Sequence, residues 1–132
     1  MKNFKGYISS RKLNNDKTVE QSIQNMTIRN CCEKRGYTFL LSATEFGMKN
    51  SFLVLNQVLS EIQKYDGIAF YSFLQLPKNK KQALKILKLI VNSNKKILFS
   101  LENLLIENFY DINKIYQIIS IDNLLKYTPK KI

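Results

Sequence analysis

Between Tyr65 and Pro77 the chain reads YDGIAFYSFLQLP, and this stretch restricts the fold more than any other. Ile68, Ala69, Phe70 and Tyr71 form an uninterrupted apolar run, too short for a helix, opened by an Asp66-Gly67 turn signal and closed by Pro77. A strand that is apolar on both faces needs cover on both, so this one belongs in the middle of a parallel sheet between two helical layers. Ser72 and Gln75 fall just past its carboxyl end, where open α/β sheets place their ligands.

The rest of the chain supplies the other layers. Phe4 to Ser9 predicts a first strand, with Gly6 marking a close approach of a neighbouring backbone or a ligand. Thr18 followed by Gln21 is a capping box that predicts a helix running to Arg35, with Gly36 as its stop. On that helix Val19, Ile23, Met26 and Asn30 share one face, opposite Gln21, Asn25, Ile28 and Arg29. Tyr37 to Ala43 predicts the second strand, and Asn50 or Ser51 caps a second helix through Lys64, with Leu55, Val58, Leu59 and Ile62 at helical spacing.

After the opening strand, 79–92 predicts a third helix with Ala83, Leu84, Leu87, Ile90 and Val91 inward and Lys81, Lys85 and Lys88 on a solvated face. Lys96 to Leu101 predicts a fourth strand, and Asp111 caps a last helix carrying Ile112, Ile115, Tyr116 and Ile119. A basic tail over about 126–132 is expected to fray. Strict strand–helix alternation implies right-handed crossovers. The expected architecture is a three-layer α/β domain, flavodoxin-like in its layering, with a parallel sheet of order 2-1-3-4 and helices on both faces.

The 132 residues suffice for one domain with its own core, and 1–132 is expected to be a single unit. No apolar run approaches the roughly 20 residues needed to cross a bilayer. The opening MKNFKGYISSRK has neither a long apolar core nor a small-residue cleavage site. A cytoplasmic protein without membrane insertion is expected.

The formal charge is +11, but all of the 21 basic residues except Arg11, Arg29 and Arg35 are lysine. Bidentate reading of bases and phosphates favours arginine, so the expectation goes against nucleic acid and toward a small anionic ligand. The chain contains no His and two Cys, the adjacent pair Cys31 and Cys32. Two thiols do not complete a four-ligand soft metal site, and neighbouring Cys close a strained ring. Reduced structural thiols, no metal and no cofactor are expected. Without His there is also no Ser-His or Cys-His nucleophile pair.

With order 2-1-3-4, the switch point falls between the first and third strands. Ser9, Ser10 and Arg11 are then expected to face Tyr71, Ser72 and Gln75 across a crevice, flanked by Thr44 and Glu45 and by Glu102 and Asn103. Arg11 beside two hydroxyls suits an anionic group. Glu45 is the best available acid or base, with Ser10 the second catalytic candidate. Ser9, Ser10, Arg11, Thr44, Tyr71, Ser72 and Gln75 are the candidate ligand-binding set. Each also has a bland reading: serines that satisfy backbone groups, a tyrosine that fills the core, glutamates at helix starts.

Two family resemblances attach to these residues. YISS at the first strand end, followed by the Gln-containing helix, resembles the catalytic domain of serine recombinases of the resolvase/invertase type over about residues 4–103. That family carries Tyr-x-Arg-Val-Ser there and Asp-Arg-x-x-Arg after the third strand. Aligned on Tyr7, the family's Arg, Val and nucleophilic Ser fall on Ser9, Ser10 and Arg11, and a one-residue shift brings Ser10 to the nucleophile position. Leu74, Gln75 and Lys78 stand where the Asp and two Arg belong, so this resemblance implies the fold without the reaction.

Over nearly the whole chain, GYISSR at Gly6 to Arg11, the Gln24 to Arg29 helix segment, LSATE at Leu41 to Glu45 and the segment Asp66 to Pro77 resemble the sporadic carbohydrate cluster family. Leu74 is a departure from its local spacing. This resemblance implies a role in surface-polysaccharide assembly, with a sugar or sugar-nucleotide ligand, and it defines no reaction. A non-enzymatic scaffold of such a pathway is the alternative, with Ile28 and Tyr110 as candidate exposed apolar residues. A resolvase-derived DNA-binding protein is the third reading, and a homodimer is the expected assembly.

Overall fold

The computed structural model describes residues 2–10, 12–13, 17–46 and 52–117. Five strands form one sheet in the order β2-β1-β3-β4-β5, from β1 (Asn3–Ser9), β2 (Thr38–Glu45), β3 (Gly67–Phe70), β4 (Lys96–Phe99) and β5 (Leu104–Ile106). The first four strands are parallel, with β3 between β1 and β4 in register Phe4↔Gly67 and Gly67↔Lys96. The order expected from alternation therefore holds for those four.

β5 is an addition. It pairs antiparallel to β4 through Ile97↔Ile106 and Phe99↔Leu104. The reversal runs through Asn103 at φ 55°, a left-handed conformation that Asn tolerates better than most residues. A three-residue strand at a sheet edge is too short to leave a periodic signal.

β3 meets the expectation for a strand covered on both faces. Ile68 and Phe70 enter a cluster with Leu55, Leu59, Leu87, Ile90 and Phe99. Ala69 and Tyr71 enter the opposite cluster with Phe4, Ile8, Ile28 and Cys32. Alternate side chains point to opposite faces of a strand, and here both faces are dry. Phe70 is fully buried, with Tyr7 and Phe99 each 5.5 Å away between ring centroids. Burial of a side chain that size stabilises the fold by about 2–3 kcal/mol.

The helices are α1 (Gln21–Lys34), α2 (Leu53–Ser60), α3 (Lys80–Asn92) and α4, described over 109–117. α2 ends before a separate 3-10 turn, Ile62–Lys64, which carries the buried Ile62. α3 is capped by the Asn79 side chain, which accepts from Gln82 N–H, and it buries Ala83, Leu87, Ile90 and Val91 as its spacing predicts. α4 starts earlier than expected. Asn108 Oδ1 accepts from Asp111 N–H and Asp111 Oδ2 accepts from Glu107 N–H, so Asn108 and Asp111 close its first turn together. The proposed caps Asn50 and Ser51, Ile119 and the basic tail lie outside the described residues.

α1 corrects the expected inside and outside. Gln24, Ile28, Cys31 and Cys32 are its buried residues, while Ile23 and Met26 are 48% and 61% exposed. Ile28 is thus core and not an exposed apolar contact, whereas Tyr110 is 67% exposed. Gln24 hydrogen-bonds to Ser9 of β1 from the same helix face that buries Ile28, Cys31 and Cys32, which leaves Ile23 and Met26 on the outer side. The helix also starts at Gln21, with Glu20 and not Thr18 at its cap, and it stops at Gly36 with φ 74°.

Gly6 sits where β1 and β2 slip register between Lys5 and Tyr7. A Cβ there would lie 2.2 Å from Ser42 Oγ and 2.8 Å from the Phe39 ring. The close approach read from the glycine is therefore to β2, at a bulge that bends an edge strand. Among the described residues, no helix is long and apolar enough to cross a membrane.

Candidate functional site

The carboxyl ends of β1 and β3 do meet. Gln75 Nε2 lies 3.3 Å from Ser9 Oγ, so two of the expected partners are in direct contact. The space between the strands is taken up by Gln24 from the first turns of α1. Its Oε1 accepts from Ser9 N–H at 3.0 Å and its Nε2 donates to the Ser9 carbonyl at 2.8 Å. The same Nε2 reaches the Val19 carbonyl, and Gln75 Nε2 donates to Gln24 Oε1 at 3.1 Å.

Gln75 turns its own carbonyl oxygen back onto Tyr71 N–H at 2.8 Å. Ser9, Gln24, Ser72 and Gln75 are all at most 1% exposed. The expected crevice is thus filled by a buried amide network, and the groups expected to face a ligand face one another. Buried polar groups demand such partners, since an unmade hydrogen bond there costs about 1–3 kcal/mol.

Glu45, the expected acid or base, is 2% exposed. Its carboxylate accepts from Val54 N–H and Leu55 N–H at 3.0 to 3.1 Å and from Tyr7 Oη at 3.0 Å. These are the open N–H groups of the first turn of α2, where the helix dipole favours negative charge. The carboxylate that ends β2 therefore caps the following helix. Thr44 pairs with Ile8 along the same strand and is half-buried.

Ser72 caps a short 3-10 turn, Phe73–Gln75, by accepting from Leu74 N–H, and donates to Glu102 Oε2 at 2.5 Å. Tyr71 is buried against α1. Burial, with the nearby Glu102 carboxylate, pushes its phenol above the usual range, so it stays protonated at neutral pH. Ser10 is the exposed member of the set. Its N–H and hydroxyl both point to the Glu45 carbonyl, at 3.0 and 3.4 Å. Arg11 lies outside the described residues.

A sizeable cavity lies elsewhere. About 930 Å³ opens between α2 and α3, with Leu53, Pro77, Gln82, Ile86 and Leu89 in its wall. Beside it, the outer face of α3 presents Lys81, Lys85 and Lys88, all exposed. They sit at i, i+4 and i+7, one stripe about 10 Å long at 1.5 Å rise per residue. From Gly67 to Leu101 the chain holds seven lysines and no Asp or Glu. Among the described residues no cluster of His, Cys, Asp or Glu could hold a metal ion. Cys31 and Cys32 are buried and unbridged.

Two structural roles escaped the sequence reading: Gln24 as the filler of the crevice and Tyr7 as a ligand of the Glu45 carboxylate. A glutamine one turn into the helix after β1 was the available signal for the first. For the second there was none, because Tyr7 and Glu45 are distant in the chain.

No protein-family profile matches this chain, and no curated protein shows a significant sequence match to it. Among solved structures, the N-terminal catalytic domain of TP901-1 integrase superposes with a TM-score of 0.67 at 12% identity, over 95% of this chain and 98% of that one. The fold is resolvase-like. A resolvase family site-specific recombinase from Streptococcus pneumoniae agrees, with a TM-score of 0.63 at 10% identity, over 91% of this chain and 88% of that one.

These neighbours overturn the polysaccharide reading. The resemblance to the sporadic carbohydrate cluster family finds no match to support it, and the two neighbours just described are an integrase catalytic domain and a site-specific recombinase. The sugar or sugar-nucleotide ligand and the pathway scaffold lose their basis with it. The expectation against nucleic acid is not favoured either.

Proposed function

We propose that this protein binds nucleic acid through the phosphate backbone, using the lysine stripe of α3, on a recombinase scaffold that does not cut strands. The observation that carries the reading is Lys81, Lys85 and Lys88 on one exposed helix face, inside a 35-residue span of seven lysines and no carboxylates. Such a face attracts a polyanion and gains from the release of its counterions. The names of the structural neighbours, an integrase and a site-specific recombinase, add to the same reading. Lysine in place of arginine suits a point-charge contact to phosphate and not a bidentate reading of bases.

Strand cleavage is left out on chemical grounds. Phosphoryl transfer needs cationic or hydrogen-bonding groups aimed at the charge that develops on the phosphorus oxygens. At the end of β3 this chain places Gln75, neutral, 1% exposed and turned toward Ser9 and Gln24.

Fluorescence anisotropy with short labelled DNA, titrated against salt, tests the reading. Binding at low ionic strength is expected, with log K falling against log salt at a slope of about −2.7 on duplex if three lysines each neutralise one phosphate. The triple variant K81Q/K85Q/K88Q is expected to lose most of that slope. No binding at low salt, or the same slope in the triple variant, overturns it.

A further inference from the structure

The lysine stripe of α3 does not end in open surface. On its α4 side lies a depression of about 460 Å³ between the two helices, walled by Lys88 and Asn92 on one flank and Phe109 and Asn113 on the other, with Leu84 and Ile112 at its base. It adjoins a second depression that shares Leu84, Lys88 and Asn92 and extends to Lys81 and Lys85. The volume lies within the roughly 300–1,000 Å³ of small-ligand sites. Phe109 is 47% exposed although it is a large aromatic side chain at the start of a helix. The ring of Tyr110 beside it already has the Lys114 ammonium 4.9 Å from its centroid.

The chemistry of the walls is mixed in an informative way. An aromatic side offers a stacking platform for a planar group. Two carboxamides, Asn92 and Asn113, each offer a donor and an acceptor, as needed at the edge of a heterocycle. Lysines continue along α3 where a charged backbone would run. A duplex keeps its bases paired and stacked, so it meets the lysines alone. A single strand can turn a base out onto the ring.

We infer that the depression between α3 and α4 is a base-stacking site for single-stranded nucleic acid, with a base on Phe109 and its backbone along Lys88, Lys85 and Lys81. This rests on the backbone-binding reading above and assigns the strand form that the surface prefers. Stacking on an aromatic side chain tolerates any base, so the site discriminates single strand from duplex and not one sequence from another.

The chain contains no Trp, so F109W places a single indole reporter at the site. A short oligothymidylate is expected to quench its emission, while heparin, a polyanion without bases, binds the lysines and leaves the emission unchanged. F109A is expected to weaken oligothymidylate binding roughly tenfold or more and to leave binding of a short duplex unchanged. Thermal unfolding of both variants checks that the half-exposed position tolerates them. Wild-type affinity for oligothymidylate in F109A, or equal quenching by heparin and oligothymidylate in F109W, overturns the stacking site while backbone binding stands. If the wild-type chain binds neither nucleic acid, the backbone reading falls and this site falls with it.

Discussion

The Gln24 carboxamide pairs with both backbone groups of Ser9, accepting from its N–H at 3.0 Å and donating to its carbonyl at 2.8 Å. A side chain thereby stands in for one more rung of a β-ladder at the carboxyl end of β1. It joins α1 to the sheet and, through Gln75, joins β1 to the end of β3. A neighbouring strand end that would otherwise open to solvent is closed by amides.

Substitution of Gln24 by Leu should therefore destabilise the protein although it adds apolar volume. The Ser9 N–H and carbonyl would be left buried without their partner, at a cost of about 2–6 kcal/mol for the two groups. Urea denaturation measures this through a lowered midpoint at unchanged slope. A Leu variant as stable as the parent would mean that the network contributes nothing.

Glu45 and Tyr7 form a second buried connection, since the carboxylate that caps α2 also accepts from Tyr7 Oη. Tyr7→Phe should cost about 1–2 kcal/mol by removing one donor to a buried charge. Glu45→Ala should cost more, about 3 kcal/mol, because the first-turn N–H groups and the tyrosine hydroxyl lose their acceptor together. A double-mutant cycle with both changes is expected to show coupling of about 1 kcal/mol. Strict additivity would remove the hydrogen bond from the energetic account.

The buried thiol gives the protein a pH dependence on the alkaline side. Burial, assisted by the nearby Cys31 and Glu33, pushes Cys32 up from 9.0 to about 12. The folded chain then holds this proton more tightly than the unfolded chain, so native protein binds more protons between those values. Stability is expected to be unaffected by this group below about pH 8 and to fall as pH rises from about 9 toward 12. Cys32→Ala should lose stability at neutral pH through packing but decline less steeply with pH. Parallel alkaline slopes for parent and variant would contradict the prediction, as would fast reaction of Cys32 with a thiol reagent in native protein.

The course of the sheet was readable from particular residues. The Ile68 to Tyr71 run placed a strand in the centre because no other arrangement hides apolar groups on both sides. The spacing of Ala83, Leu87, Ile90 and Val91 placed the buried face of α3. α1 was misread because apolar periodicity carries no information on the hydrogen bonds that a glutamine will find. Ile23 and Met26 lie outside, while Gln24 reaches Ser9 from the face that also buries Ile28, Cys31 and Cys32. The candidate site was legible as a place and not as an environment. Ser9, Ser72, Gln75 and Glu45 stand at the strand ends as expected, but at most 2% exposed.

What the chain determined on its own was the alternation of strand and helix, the central position of β3, the stop at Gly36 and the lysine stripe of α3. Each follows from residue types at short spacing, where steric and hydrophobic preferences act locally. The folded arrangement alone decided that the polar strand ends turn inward, that Glu45 caps α2, and that Phe109 borders a depression beside Lys88. Those outcomes depend on which distant groups come within hydrogen-bonding or packing distance, and that is set by the path of the whole backbone.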